Sequence, residues 1–362
     1  MTTVLVTGGA GFIGANFVHY WRAHHPEDGV VVLDALTYAG NRSNLDGLNS
    51  IEFVHGNILD TVLVEALLAD HGIDTIVHFA AESHVDRSIH SPAAFVDTNI
   101  IGTLSLLTAA RATWLTGSGR PHRFHHVSTD EVYGSLGPTD PAFSETTAYA
   151  PNSPYSASKA ASDHLVRAWH HTYGLQVTTS NCSNNYGPYQ FPEKLIPLFL
   201  INALHGQPLP IYGDGMQIRD WLHVEDHCRG IEACLMKGRV GETYNIGGGA
   251  ELPNITVIDT LCTAVDAAFA ADSVLAKRFS GSPAATGRPS ASLKSFVTDR
   301  PGHDRRYAID ETKARTELGY APARTFDQGF AATLHWYLAN EGWWRAVIDG
   351  SYRDWVETNY TR

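Results

Sequence analysis

Cysteine is scarce in this chain, with four residues among 362, and none of them forms a CxxC pair. That excludes a disulfide framework and a thiolate zinc site. Cys182, Cys228, Cys234 and Cys262 are expected to be buried, reduced and structural. Positive charge is also short, with 26 Lys and Arg against 38 Asp and Glu and a net charge of −12. The chain therefore has no global attraction for nucleic acid or an anionic membrane surface. No HExxH stretch occurs among the 19 histidines. The pairs His24-His25, His125-His126 and His170-His171 are adjacent in sequence, so they present no chelating face on a strand or helix. No internal repeat is visible, and no apolar run reads as long enough to cross a bilayer. The chain enters a strand at Val4 without a basic leader and cleavage site, so a cytoplasmic location is expected.

What is present is a 43% hydrophobic, 18% charged chain, enough to fill a large core. Short apolar runs at Val4–Thr7, Gly29–Leu33, Ile51–His55, Thr75–Phe79, Arg123–Ser128 and Gln176–Ser180 read as strands. Helix-length amphipathic segments separate them, which predicts an α/β protein with a parallel sheet covered on both faces. Beyond Asn181 the alternation loosens into apolar helices such as Leu195–His205 and short strands such as Leu209–Tyr212 and Thr243–Ile246. The expected architecture is a Rossmann-type doubly wound sheet over residues 1–180. A smaller C-terminal α+β substrate-binding lobe follows over 181–362, and the two interleave in part. The Ser, Ala, Gly and Pro-rich stretch Ser273–Ser295 has little bulk to bury and is expected to be an exposed loop.

Gly8, Gly11 and Gly14 follow the first strand at GxxGxxG spacing and open an amphipathic segment. This pattern suits a tight strand-to-helix turn whose backbone N–H groups face a pyrophosphate. Asp34 ends the second strand, 20 residues beyond Gly14. A carboxylate there accepts hydrogen bonds from an adenosine ribose and repels a 2′-phosphate, favouring NAD over NADP.

Tyr155 and Lys159 form a YxxxK pair, placed on one face of a helix by their i, i+4 spacing. A neighbouring ammonium is expected to lower the phenol pKa and make Tyr155 a base for a hydroxyl proton. Thr129 ends the preceding strand and can bond the same hydroxyl. Asp130 and Glu131 come next. Alcohol oxidation needs no such carboxyl pair. At the C-terminal edge of a parallel sheet the two acids point to further acid/base work.

The chain resembles the dTDP-glucose 4,6-dehydratases, sugar-nucleotide enzymes of the extended short-chain dehydrogenase/reductase type. The likeness is carried by Asp34 to Asn41, His78 to Arg87, Ser128 to Gly134, Asn181 to Pro197, Pro210 to Gly213, Gln217 to Leu222 and Arg300 to Asp310. It runs from the first residue to the Trp-rich C-terminus. The resemblance implies oxidation at carbon 4 of the sugar by tightly bound NAD, with Tyr155 taking the 4-hydroxyl proton. Elimination of water then follows, with Glu131 as base at carbon 5 and Asp130 as acid at the 6-hydroxyl. Hydride returns to carbon 6. By the same resemblance Phe12, Ile13, Asp34, Ala35, Leu36, Thr37, Asn57, Ile58, Ala80, Ala81, Ser83 and Thr98 contact NAD, with Asn185 also near the cofactor. Tyr155 and Lys159 reach its nicotinamide ribose. Thr129, Asn184 and Ser83 would hold the sugar. Lys194, Leu195, Pro210, Ile211, Tyr212, Arg219, Asn254, Arg300 and His303 would line the diphosphate and base. Position 57 is Asn where the family more often carries Asp.

Other readings remain open at this level: a UDP-glucose 4,6-dehydratase, a 4-epimerase, or a non-catalytic NAD-binding regulator. The acid pair speaks against the epimerase, and the intact Tyr, Lys and acids against the regulator. Thymine and uracil differ by one methyl group, worth about 1–3 kcal/mol in a pocket. The resemblance also implies a homodimer, joined through the YxxxK helix and the Thr98–Arg111 helix, where Ile100, Leu104 and Leu107 supply an apolar face that could equally pack within the monomer. No nucleic-acid or membrane partner is expected.

Overall fold

In the computed structural model, which describes residues 2–299 and 302–348, six strands come from the first half of the chain. They are β1 (Thr3–Thr7), β2 (Gly29–Asp34), β3 (Glu52–His55), β4 (Thr75–His78), β5 (Arg123–Thr129) and β6 (Val177–Cys182). The second half adds β7 (Asn184–Tyr186), β8 (Leu209–Tyr212), β9 (Ile218–His223), β10 (Thr243–Ile246), β11 (Glu251–Pro253) and β12 (Lys294–Val297). Strand boundaries expected from the apolar runs fall within two residues of those observed.

Seven strands form one parallel sheet in the order β10-β6-β5-β4-β1-β2-β3. Side chains alternate across a strand, so β1 sends Leu5 to one face and Val4 and Val6 to the other. Leu5 packs with Leu33, Ile76, Leu106 and Phe124. Val4 and Val6 pack with Phe17, Val32 and Val77 beneath the helix Phe12–His24. Burial on both faces explains why these strands read as continuous apolar runs. Because β10 pairs with β6, residues 243–246 extend the sheet beyond the expected boundary near Asn181.

The strand order reverses at β1, which lies between β2 and β4. The loops after these strands diverge and leave a crevice at their C-terminal ends, where this architecture binds ligands. Over the crevice sits a second lobe, built from the sheets β11-β9-β7 and β12-β8 and the helices Leu195–His205, Asn254–Ala271 and Phe326–Ala339. Its core includes Leu200, Leu204, Val257, Leu261 and Phe330.

Three expectations need correction. Ser273–Ser295 is largely exposed, as expected, but it is not an irregular loop. It contains the helix Ser273–Arg278 and the 3-10 turns Pro283–Thr286 and Ser290–Leu293, and it leads into β12, which pairs with β8. Leu275, Phe279 and Pro283 are buried, and Ser290 is anchored by its hydroxyl to Asp266 at 2.6 Å. Small residues here permit close approach instead of supplying bulk. Secondly, the helices Pro92–Ser118 and Asn254–Ala271 do have the length and composition to cross a membrane. In this fold Leu106, Leu107 and Trp114 of the first and Val257, Leu261 and Val265 of the second are buried core residues. Thirdly, Leu107 belongs to that core and not to an outer apolar face. The large apolar side chains exposed on its helix are Val96 and Ile101, each 45% accessible.

Candidate active site

The glycine loop runs from β1 into the helix Phe12–His24, whose N-terminal residue Gly11 carries no side-chain cap. The orphan N–H groups of that first turn face the crevice. Gly8 has φ +70°, and a Cβ on it would stand 2.6 Å from the Ala80 nitrogen after β4. A Cβ on Gly14 would stand 2.3 Å from the Gly8 carbonyl oxygen. Neither position tolerates a side chain, because backbone fills the space. Asp34 closes the cradle from β2. Its buried carboxylate accepts the N–H of Ala10 and of Leu36, both at 2.8 Å. Burial raises its pKa, opposed by those two hydrogen bonds. A carboxylate has about four lone-pair sites, so two remain for a ribose. Asn57 uses its carbonyl oxygen on the Leu59 N–H at 2.9 Å.

A cavity of about 360 Å³ extends from this cradle to the end of β5. Its walls include Gly8, Gly11, Phe12, Ile13, Gly14, Asp34, Ala35 and Thr37 from the first two strands and their loops. Asn57, Ile58, Ala80, Ala81, Ser83 and Thr98 continue it, and Thr129, Asp130, Glu131, Tyr155 and Lys159 form its inner end. Asn184, Asn185, Lys194 and Leu195 close it from the second lobe. The cradle and its length suit a dinucleotide such as NAD.

The helix carrying Tyr155 and Lys159 spans Pro154–Tyr173. It starts where Ser153 and Ser156 form a reciprocal capping box with Pro154 at the first position, and stops at Gly174 with φ 81°. This start fixes Tyr155 in the first turn, beside the end of β5. Tyr155 is hydrogen-bonded with Thr129. The Lys159 ammonium donates to the Val127 carbonyl at 2.9 Å. Contrary to expectation, the Tyr155 phenol lies well above its ordinary pKa. Burial is the main cause, Glu131 and Cys182 add to it, and Thr129 opposes it. Burial likewise lowers Lys159. Desolvation of the enclosed pair outweighs the ammonium's pull on the phenol.

Asp130 begins a single 3-10 turn, Asp130–Tyr133, that leads away from β5. It is 2% exposed, and its Oδ2 is enclosed without a partner. Burial pushes its carboxyl well above the usual range, with Glu131 and Asp220 adding and Arg219 opposing. A carboxyl so placed holds a proton and can donate it. Glu131 is less deeply set, with its N–H bonded to the Thr129 hydroxyl at 3.3 Å. The two adjacent acids therefore occupy different environments.

Several residues expected at the nucleotide end lie outside this cavity wall. Pro210, Ile211, Tyr212, Arg219, Asn254 and His303 belong to the second lobe, and Leu36 packs into the sheet core, giving Asp34 its N–H. Tyr212 meets His303 edge to face at 6.0 Å, and His303 pairs with Asp299 at 2.6 Å. Asp299 also accepts from Gln217, whose carbonyl accepts the Asn254 N–H at 2.9 Å. Arg219 is held over the Tyr307 ring at 4.2 Å and donates to the Ile218 and Asp304 carbonyls. Its field reaches Asp130, so the two groups are neighbours. Arg300 lies outside the described residues.

The cavity wall also includes Glu82, inside the expected Ala80–Ser83 stretch, and Tyr38, Phe191 and Glu193, which the motifs did not single out. Glu193 is buried and pairs with Arg87 at 3.3 Å, and Arg87 lies 3.9 Å from the Tyr38 ring centre. An acid directly before Lys194 was the signal available in the sequence. Among the described residues no group of three or more His, Cys, Asp or Glu is arranged to hold a metal ion.

A family model described as GDP-mannose 4,6 dehydratase matches residues 5–333. The dTDP-glucose 4,6-dehydratase of Xanthomonas campestris pv. campestris strain B100 is 58% identical over 359 residues, covering 98% of each chain. A crystal structure of a Streptomyces venezuelae dTDP-glucose 4,6-dehydratase with NAD and TYD bound superposes with a TM-score of 0.84 at 47% identity. That match covers 96% of this chain and 100% of the other. The UDP-glucose 4-epimerase of Thermotoga maritima, crystallised with UDP-glucose, has a TM-score of 0.80 at 28% identity, covering 94% and 100%. The fold is thus shared with epimerases, whereas high identity over the full length is found with the dehydratases. The chain belongs to the dTDP-glucose 4,6-dehydratase family.

Proposed function

We propose that this chain converts dTDP-glucose to dTDP-4-dehydro-6-deoxy-glucose, a dehydration with no net redox change. The observation that carries the reading is Asp130, an enclosed carboxyl with an unpartnered oxygen in the same cavity as Glu131, Tyr155 and Lys159. NAD, when bound, takes the hydride from carbon 4 and returns it to carbon 6. Tyr155 receives the 4-hydroxyl proton as a phenolate, which requires the Lys159 ammonium and the positive nicotinamide ring of bound NAD to offset the burial that raises its pKa, with Thr129 holding the hydroxyl. The ketone so formed acidifies carbon 5, and Glu131 takes that proton. Asp130 gives its proton to the departing 6-hydroxyl, which leaves as water. A proton is then restored at carbon 5. Elimination needs a base and an acid at opposite ends of one bond, and this acid pair supplies them. Lys194, Leu195 and Asn184 hold the sugar nucleotide, with Arg219 and the Tyr212–His303 group towards its diphosphate and base.

Turnover of dTDP-glucose beside UDP-glucose, followed by absorbance of the 4-ketosugar in alkali, tests the reading. Faster turnover of the thymidine nucleotide is expected, and no turnover of either would overturn it. We further propose a homodimer using the face that exposes Val96 and Ile101. Light scattering on a sizing column should give twice the chain mass of 39.5 kDa. The proposed location is the cytoplasm, a reducing compartment suited to four buried, unpaired cysteines.

A further inference from the structure

Asp163 stands one helical turn beyond Lys159, on the same face of the helix Pro154–Tyr173. It lies beneath the cavity wall and not on it. Three donors, two from β5 and one from the loop before the helix, converge on its carboxylate. His126 Nε2 reaches Oδ1 at 3.0 Å, and the hydroxyls of Ser128 and Tyr149 donate to Oδ2 at 2.9 and 3.0 Å. Such an arrangement favours the charged carboxylate. Asp163 is 6% exposed and Lys159 4%. A buried ammonium is costly unless a negative charge stands near it.

We propose that Asp163 is a positioning residue for the oxidation, whose fixed negative charge keeps Lys159 protonated and through it readies Tyr155. This rests on the Tyr155–Lys159 reading given above. The groups facing Asp163 support it. His126 on β5, and His78 on β4 with its ring 5.3 Å from that of His126, are both held far below their ordinary pKa by burial. Both are neutral, so neither replaces the Lys159 charge. His164 on the same helix also stabilises the carboxylate. Tyr133 and Tyr149 face it as neutral phenols, raised by burial. Asp163 itself is raised by burial to about 6, with Lys159 pulling it down. It is therefore ionised at neutral pH. In return, Asp163 is the largest influence that raises the Lys159 pKa against burial.

Without the Asp163 charge, burial of Lys159 is unopposed, and the ammonium loses its proton at a lower pH. The alkaline limb of the oxidation then moves down. The test is single-turnover reduction of bound nicotinamide by dTDP-glucose against pH, in holoenzyme carrying Asp163→Asn or Tyr149→Phe. Asp163→Asn should lower the alkaline limb by about one pH unit, a roughly tenfold loss there. Tyr149→Phe removes a hydrogen bond from the same carboxylate but keeps its charge, so its limb should stay in place. An unmoved limb in folded Asp163→Asn overturns the proposal. An equal shift in Tyr149→Phe also overturns it, because packing and not charge would then be responsible.

Should Asp163→Asn not fold, Lys159→Met supplies the reciprocal measurement. Removal of the ammonium should move the Asp163 titration upward from about 6, read by NMR of aspartate labelled at the carboxyl carbon. An Asp163 titration left in place would overturn the coupling. A wild-type enzyme that reduces no nicotinamide at any pH sinks the dehydratase reading instead.

Discussion

The Thr129 hydroxyl donates to Oδ1 of Asp130 at 3.3 Å, while Oδ2 of the same carboxyl is enclosed without a partner. The protonated form suits this position, and its raised pKa follows from burial first and from Glu131 second. Because the folded pKa exceeds the unfolded value of 3.8, the stability that the carboxyl contributes is complete below that pH. It is lost as pH rises through the folded value. Asp130→Asn cannot ionise and escapes that loss. The variant should melt higher than wild type at neutral pH, by on the order of 1 kcal/mol, with the difference closing at about pH 3. Melting curves across pH check this, and an equal gain at all pH values would contradict it. Elimination in the same variant should fall roughly 10²- to 10⁴-fold.

Glu131→Gln should separate the two halves of the reaction. The Tyr155 proton transfer does not need the Glu131 carboxylate, whereas removal of the carbon-5 proton does. Reduced nicotinamide should accumulate on mixing with substrate, and turnover should fall roughly 10²- to 10⁴-fold. Stopped-flow absorbance with product analysis reads both. Wild-type turnover would remove Glu131 from its assigned role.

Gly14→Ala places a methyl group 2.3 Å from the Gly8 carbonyl oxygen and 2.9 Å from the Gly9 Cα, both backbone atoms. The loop must open, at a cost of about 1–3 kcal/mol, and the helix N-terminus shifts from the pyrophosphate site. The purified variant should carry less NAD and melt lower. Retention of full NAD would contradict this account of the loop.

Much of this was legible in the sequence because each signal had a local physical cause. The glycine spacing fixes a turn, and the apolar runs of β1, β2 and β4 report burial on both faces of a parallel sheet. The acid pair and YxxxK gained meaning from their places beside one strand end. Other features depended on tertiary packing. The elements of Ser273–Ser295 went unread because the sequence does not show Phe279 packing between Phe269 and Trp344. The expected fall in the Tyr155 pKa counted the ammonium but not desolvation, which only the closed site reveals. Asp163 was passed over because its donors come from positions 126, 128 and 149. Tyr212, Arg219, Asn254 and His303 gather in the second lobe, outside the main cavity wall.

In the proposed reaction a hydride leaves carbon 4 and returns to carbon 6 of the same sugar while the acids expel water between. The most direct test is conversion of dTDP-glucose deuterated at carbon 4, in ordinary water, with the product examined by NMR. Deuterium is expected at carbon 6 of the 4-keto-6-deoxy product, with no net consumption of NAD. Deuterium retained at carbon 4 or lost to solvent would contradict it.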